Sequence, residues 1–212
     1  MRHLVPGFFG EGPTDRRFLE PLLARLSRDL LRVSRHEIEI HSFVCPISDD
    51  RTIGAVIKAI QGFINSIDIL FVHADGKGQQ DKTFAERIGP IAAAYDTERL
   101  IVVGVVPIHE TEAWALADGD ALRRSFGTTL SDSDLGIPGG AGEIERLVDP
   151  KQHLRDAQRR AMGGRRHRRI RNELPLPLLG EAIGLDRLRR LPAFRRLEED
   201  TKAALSDLRF LP

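Results

Sequence analysis

Ile69-Leu70-Phe71-Val72-His73-Ala74-Asp75-Gly76 passes directly from an unbroken apolar run into an acidic turn. A short run with no polar face predicts a strand covered from both sides, as in a parallel sheet. The flanking sequence repeats this pattern. Residues 4–9 are apolar and end in Gly10-Glu11-Gly12-Pro13; Thr14 or Asp15 can then cap a helix carrying Phe18, Leu19, Leu22, Leu23 and Leu26 at helical spacing. Ile38, Ile40, Ser42 and Val44 alternate as a strand, and Ile53, Val56, Ile57, Ile60 and Ile64 fall on one helical face. Downstream, a polar loop at 77–82 leads to a helix over 84–95, an apolar strand over 100–106 closed by Pro107, and a helix over 110–117.

Alternating strands and helices of this length predict an α/β fold with a mostly parallel sheet flanked by helices. Ligands of such sheets bind beyond the carboxyl ends of the strands. Glu11, Asp75 and the pair Glu110 and Glu112 each follow a predicted strand, so parallel strands would gather them on one edge. The Ser/Asp/Gly-rich stretch after residue 120 reads as a loop or lid up to 142, with helices over 143–162 and from 178 onward. The expected division is an α/β core at 1–120 and a loop/lid and basic helical part at 121–212, packed on the core as one unit.

Of the 212 residues, 41% are apolar and 30% charged, a balance that excludes wholesale disorder. No apolar run approaches the roughly 18 residues that would cross a bilayer, and the first residues lack the order of a signal peptide, so a cytoplasmic location is expected. The single cysteine, Cys45, excludes an intramolecular disulfide and reads as a buried structural thiol. The net charge of +1 conceals an asymmetry: residues 151–172 hold nine Lys/Arg and one Asp, a local +8 that leaves −7 on the rest. An acidic body joined to a basic segment suits a protein that holds cations and grips a polyanion.

Acidic groups from separate strand ends can ligate Mg2+ or Mn2+, because such hard cations prefer oxygen donors and keep waters that substrate phosphates replace. The alternative is that they are helix caps and surface charges. Glu11 stands between two glycines that permit a tight turn and close approach of a ligand, or it is a turn residue only. His73 is either a metal ligand or proton shuttle, or a hydrogen-bonded structural residue. His109-Glu110-Thr111-Glu112-Ala113 has alanine where a second zinc-binding histidine would stand, which excludes a zinc protease of that type. No phosphate-binding NTPase loop is present, so ATP hydrolysis is not expected.

On a helix starting at Glu110, the carboxylates of Glu110 and Glu112 lie about 200° apart, so one faces the site. We assign Glu112 there, with Trp114, Leu116 and Ala117 packing inward, Glu110 at the helix N-terminus and Asp118 as a supporting partner. Arg159, Arg160, Arg165, Arg166, Arg168, Arg169 and Arg171 either track a nucleic-acid backbone or form a solvated surface, and no interleaved aromatic residue indicates base stacking. Gly139-Gly140-Ala141-Gly142 is an anion-binding helix start or a flexible loop.

Three motifs carry a resemblance: Glu11-Gly12-Pro13-Thr14-Asp15, Val72-His73-Ala74-Asp75, and residues 107–118 with their Pro-x-x-Glu-x-Glu-x-Trp order. Together they resemble the bacterial domain-of-unknown-function 4276 family, regarded as TOPRIM-like, and the likeness continues through 149–154 and 183–205. TOPRIM domains occur in topoisomerases, primases and OLD-type nucleases, where a first-strand Glu and a later Asp-x-Asp pair organise magnesium for phosphoryl transfer. The resemblance gives the first role to Glu11, the opening aspartate to Asp75 and a further acidic role to Glu112. It departs at Lys77, which stands where the second aspartate is expected; either Asp81 substitutes or Lys77 contacts the scissile phosphate. It implies a TOPRIM-like, metal-dependent nuclease acting on DNA or RNA in bacterial defence or repair, beside a separate ATPase. The alternatives are a non-catalytic module that binds nucleic acid or protein, and a hydrolase of small phosphorylated molecules.

Overall fold

A computed structural model describes residues 1–10, 12–46, 48, 50–95, 100–163 and 173–212. Its strands are β1 (Arg2–Leu4), β2 (Pro6–Phe9), β3 (Ile38–Ile40), β4 (Ile69–His73) and β5 (Ile101–Val105). Every pairing among them is parallel: β1 with β3, β2 with β4, and β4 with β5. β1 and β2 are one line of chain interrupted at Val5, whose N–H donates to Asp68 Oδ2 at 2.7 Å and whose carbonyl accepts from Asp68 N at 2.9 Å. His41 N donates to Leu4 O and Phe8 N to Val44 O, each at 2.9 Å. The strands therefore succeed one another as β3, β1/β2, β4, β5, and the strand expected over 38–44 is β3 followed by one isolated bridge at Val44.

Side-chain alternation along the strands divides the apolar residues between two clusters. Phe8, Ile69, Phe71, Val103 and Val105 face a cluster that includes Leu19, Leu22 and Leu26 of α1 (Pro13–Leu31). Phe9, Leu70, Val72 and Val106 face the other, with Val56 and Ile60 of α2 (Ile53–Gln61). Burying one such side chain contributes roughly 1.5–3 kcal/mol, so a sheet with two apolar faces has to be roofed on both.

The helix expected over 84–95 is compound: α3 (Gln80–Thr83), a π-helical turn (Phe84–Ile88) and α4 (Gly89–Ala94). After β5 come α5 (Glu112–Ala115), α6 (Gly119–Phe126), α7 (Asp132–Leu135), α8 (Ala141–Glu145) and α9 (Pro150–Ala161). The chain ends in α10 (Leu176–Ala182), α11 (Leu185–Leu188) and α12 (Pro192–Asp207). None of the helices described is long and apolar enough to cross a membrane.

The expected loop or lid between 121 and 142 is instead largely helical. Leu122 and Leu135 are buried there, and the Ser, Asp and Gly residues that suggested a loop are caps. Ser131 and Asp134 form a capping box for α7, while Gly127 and Gly136 close α6 and α7 in the left-handed conformation. Helices this short do not sustain a 3.6-residue period. The helix expected over 143–162 is divided by Pro150, with Asp149 Oδ1 accepting from Gln152 N at 2.8 Å, and the last expected helix is divided into three.

One apolar cluster runs from Leu4, Phe8 and Phe71 through Trp114 to Leu154, Phe194 and Leu205, so residue 120 is no boundary in the packing. The Trp114 indole meets the Phe194 ring edge-on at 5.5 Å. α10 lies on α1 almost backbone to backbone, because a Cβ at Gly180 would stand 2.3 Å from the Phe18 carbonyl oxygen. Gly180→Ala is therefore expected to cost about 1–3 kcal/mol through overpacking. Urea unfolding followed by Trp114 fluorescence and by far-UV circular dichroism measures this; an unchanged midpoint would show that the helices can part without penalty.

Candidate carboxylate site at the sheet edge

Parallel pairing brings the carboxyl ends of β2, β4 and β5 to one edge. β4 ends at His73, whose side chain is fully enclosed. Its Nε2 lies 2.9 Å from Thr111 Oγ1 and 3.5 Å from Asp75 Oδ1, while Nδ1 lies 3.8 Å from Asp15 Oδ2 in the first turn of α1. The imidazole thus joins the ends of β4 and α1 to the segment after β5. Among the described residues, His73 Nδ1 and Asp75 Oδ1 are buried with no hydrogen-bond partner. A buried carboxylate oxygen in that state suits a cation.

The turn after Asp75 is pressed onto the segment after β5. Gly78 N donates to Ile108 O at 2.7 Å and Lys77 N to His109 O at 3.3 Å. A Cβ at Gly76 would lie 2.2 Å from the Pro107 carbonyl oxygen, so glycine is required by close approach. Lys77 itself is exposed and takes a left-handed φ of 48°.

Glu112 opens α5 and is only 5% exposed. Burial pushes its carboxyl above the usual range; its own backbone N–H and Lys151 oppose the rise, and Glu110 and Asp15 add to it. Lys151 Nζ stands 3.6 Å from Glu112 Oε1, and Lys151 N donates to Glu110 Oε2 at 3.4 Å. Glu110 therefore meets the start of α9 and not the start of its own helix, as the sequence suggested. The reason is that α5 is one turn long and begins two residues later than expected.

His73, Asp75 and Glu112 thus come to one edge, with Asp15, Thr111 and Lys151 beside them. Glu11, which follows β2 in sequence, lies outside the described residues, as do Arg165, Arg166, Arg168, Arg169 and Arg171. Arg159 pairs with Asp156 on its own helix, and the Arg160 guanidinium covers Gly136. A cavity of about 190 Å³ next to the edge is lined by Thr14, Arg17, Lys151, Arg155 and Glu173, with Arg17 paired to Glu173.

Three expectations are corrected. Asp118 does not support Glu112: its Oδ1 accepts from Asp120 N and Ala121 N and its Oδ2 from Gly184 N, which makes it the cap of α6 and a tie to α11. Asp81 is 94% exposed and pairs with Arg196 of α12 at 2.9 Å, so it does not replace the missing second aspartate. Gly139 and Gly140 precede a helix of only five residues, too short to serve as an anion-binding helix start, and line a cavity in which Asp118, Asp120 and Asp132 offset Arg123, Arg187 and Arg190.

No family model, curated protein or solved structure matches this chain. The site is therefore read from its own chemistry. Sequence reasoning overlooked Asp15, whose helix-start position signalled a cap, and Lys151, which was counted only as part of a basic run. Thr111 carried no signal in the sequence.

The direction of the Glu112 shift sets a pH dependence. A folded-state carboxyl raised above its unfolded value of roughly 4.3 contributes stability that is complete at low pH and is lost as pH rises through the folded pKa. With chelator present, Glu112→Gln should match wild type near pH 4 and become progressively more stable than wild type toward pH 8. Denaturant unfolding across that range measures the gap; a gap that closes with rising pH would refute the assignment.

Proposed function

We propose that the sheet edge hydrolyses phosphodiester bonds in DNA or RNA with the help of Mg2+ or Mn2+. The observation that carries this reading is the buried Asp75 oxygen without a hydrogen-bond partner among the described residues, at the same sheet edge as the enclosed carboxyl of Glu112. These oxygen donors fit a hard divalent cation, and Glu11 would complete the set from the end of β2. A bound cation would polarise the scissile phosphate and activate a water.

The remaining roles fall to the chain's own side chains. His73, enclosed and hydrogen-bonded to Thr111, ties the end of β4 to the segment that carries Glu112, as a positioning residue. Lys151, Arg17 and Arg155 line the adjacent cleft and would hold flanking phosphates. Glu112, whose burial alone favours its protonated form, would be held as the carboxylate by a bound cation and by Lys151 at 3.6 Å. The motifs shared with TOPRIM-like proteins support the same reading, including a role in bacterial defence or repair beside an ATPase.

A non-catalytic binding module is favoured by two observations. Lys77 stands where the second aspartate of a TOPRIM pair is expected. The set of three His, Cys, Asp or Glu donors that converges within 4.8 Å among the described residues is His3, Glu39 and His41, away from this edge.

Incubation of the protein with single-stranded, duplex and supercoiled DNA and with RNA, in magnesium, manganese or chelator, separates the two. The catalytic reading expects metal-dependent cutting that falls by at least about 100-fold in Asp75→Asn and in Glu11→Ala. Cutting by both variants at the wild-type rate would overturn the site assignment. Salt-sensitive binding that is indifferent to chelator, without cutting, would establish the binding module.

A further inference from the structure

His3, Glu39 and His41 stand apart from the carboxylate edge and share no residue with it. Their meeting follows from strand register. β1 pairs with β3 in parallel with His3 opposite Glu39, and His41 lies two residues beyond Glu39, on the same face of that strand. The ladder continues to His41, whose N–H donates to Leu4 O at 2.9 Å. One backbone arrangement thus sets three donor side chains on one face.

The donor atoms have already converged. His3 Nδ1 lies 3.0 Å from His41 Nε2 and 3.4 Å from Glu39 Oε2. The two rings are 5.1 Å apart between centroids and tilted by 42°, so neither stacks flat on the other. In a tetrahedral site with metal–nitrogen bonds of about 2.0–2.1 Å, ligand atoms stand roughly 3.3–3.4 Å from one another. The two separations from His3 Nδ1 are close to those edges, and all three donor atoms lie within 4.8 Å of one another.

The donor set also chooses the metal. Two imidazoles with one carboxylate suit zinc and its neighbours in the first transition row, whereas magnesium and calcium prefer oxygen alone. All three side chains are exposed, so an ion has a route in.

We propose that His3, Glu39 and His41 bind one zinc ion, with a fourth position left to water, and that the ion staples β3 to β1. β3 is three residues long and stands at the end of the strand order, with a single strand neighbour among the described residues. A short edge strand gains from a cross-link that its own ladder of hydrogen bonds does not supply. The proposal is independent of the phosphodiesterase reading.

The test uses the untagged full chain. Zinc is titrated against a competing chromophoric chelator, and thermal unfolding is followed with and without zinc. One equivalent should bind, and free zinc at 100 times the dissociation constant should raise Tm by roughly 5–10 °C in a chain of this size. His3→Ala and His41→Ala, both surface changes, should keep the metal-free circular dichroism spectrum and lose the zinc shift. Glu39→Gln should weaken binding by about 10-fold or more. Magnesium should give none of the shift lost in His41→Ala. Absence of zinc binding or an undiminished shift in His41→Ala would each overturn the proposal.

Discussion

β4 has no polar face, and much of the molecule is arranged around that constraint. Its five residues are all buried, with Ile69 and Phe71 facing one apolar cluster and Leu70 and Val72 the other. Backbone groups so enclosed must be paired on both sides, which β2 and β5 accomplish. Helices have to cover both faces, and each return to the same end of the sheet needs a long crossover. Polar side chains are then confined to the strand ends, and the parallel direction puts the carboxyl ends on a single edge.

At that edge the fully buried His73 imidazole holds three separate pieces of chain in relation to one another. Thr111 and Asp75 lie on its Nε2 side and Asp15 on its Nδ1 side. Its Nε2 is satisfied by Thr111 Oγ1, which ties β4 to the segment after β5, while Nδ1 has no hydrogen-bond partner among the described residues. The close approach of Gly76 to the Pro107 carbonyl supplies a second constraint of a different kind, steric where the first is polar. That close approach fixes the turn that follows Asp75.

The C-terminal helices do more than cover the sheet. α9 brings Lys151 to Glu112 and its backbone N–H to Glu110, and Arg155 lies one turn further along the same helix. The start of the basic segment, at Lys151 and Arg155, is thereby brought to the acidic edge, and Phe194 of α12 closes over Trp114 just behind Glu112. A division at residue 120 separates parts that share one core.

The order of strands and helices, the burial of β4 on both faces and the emergence of Asp75 and Glu112 beyond strand ends were legible in the sequence, because they follow from apolar period and from the residues that stop a strand. The short helices between 119 and 145 were not, since four to eight residues hold too little of a helical period to outweigh their Ser, Asp and Gly caps. Roles that depend on a partner far along the chain were equally hidden. Asp15 at His73, Lys151 at Glu112, Asp118 at Gly184 and Asp81 at Arg196 join residues separated by tens of positions. Local pattern determines which face of an element is apolar; which side chains meet across elements is decided only when those faces are packed together.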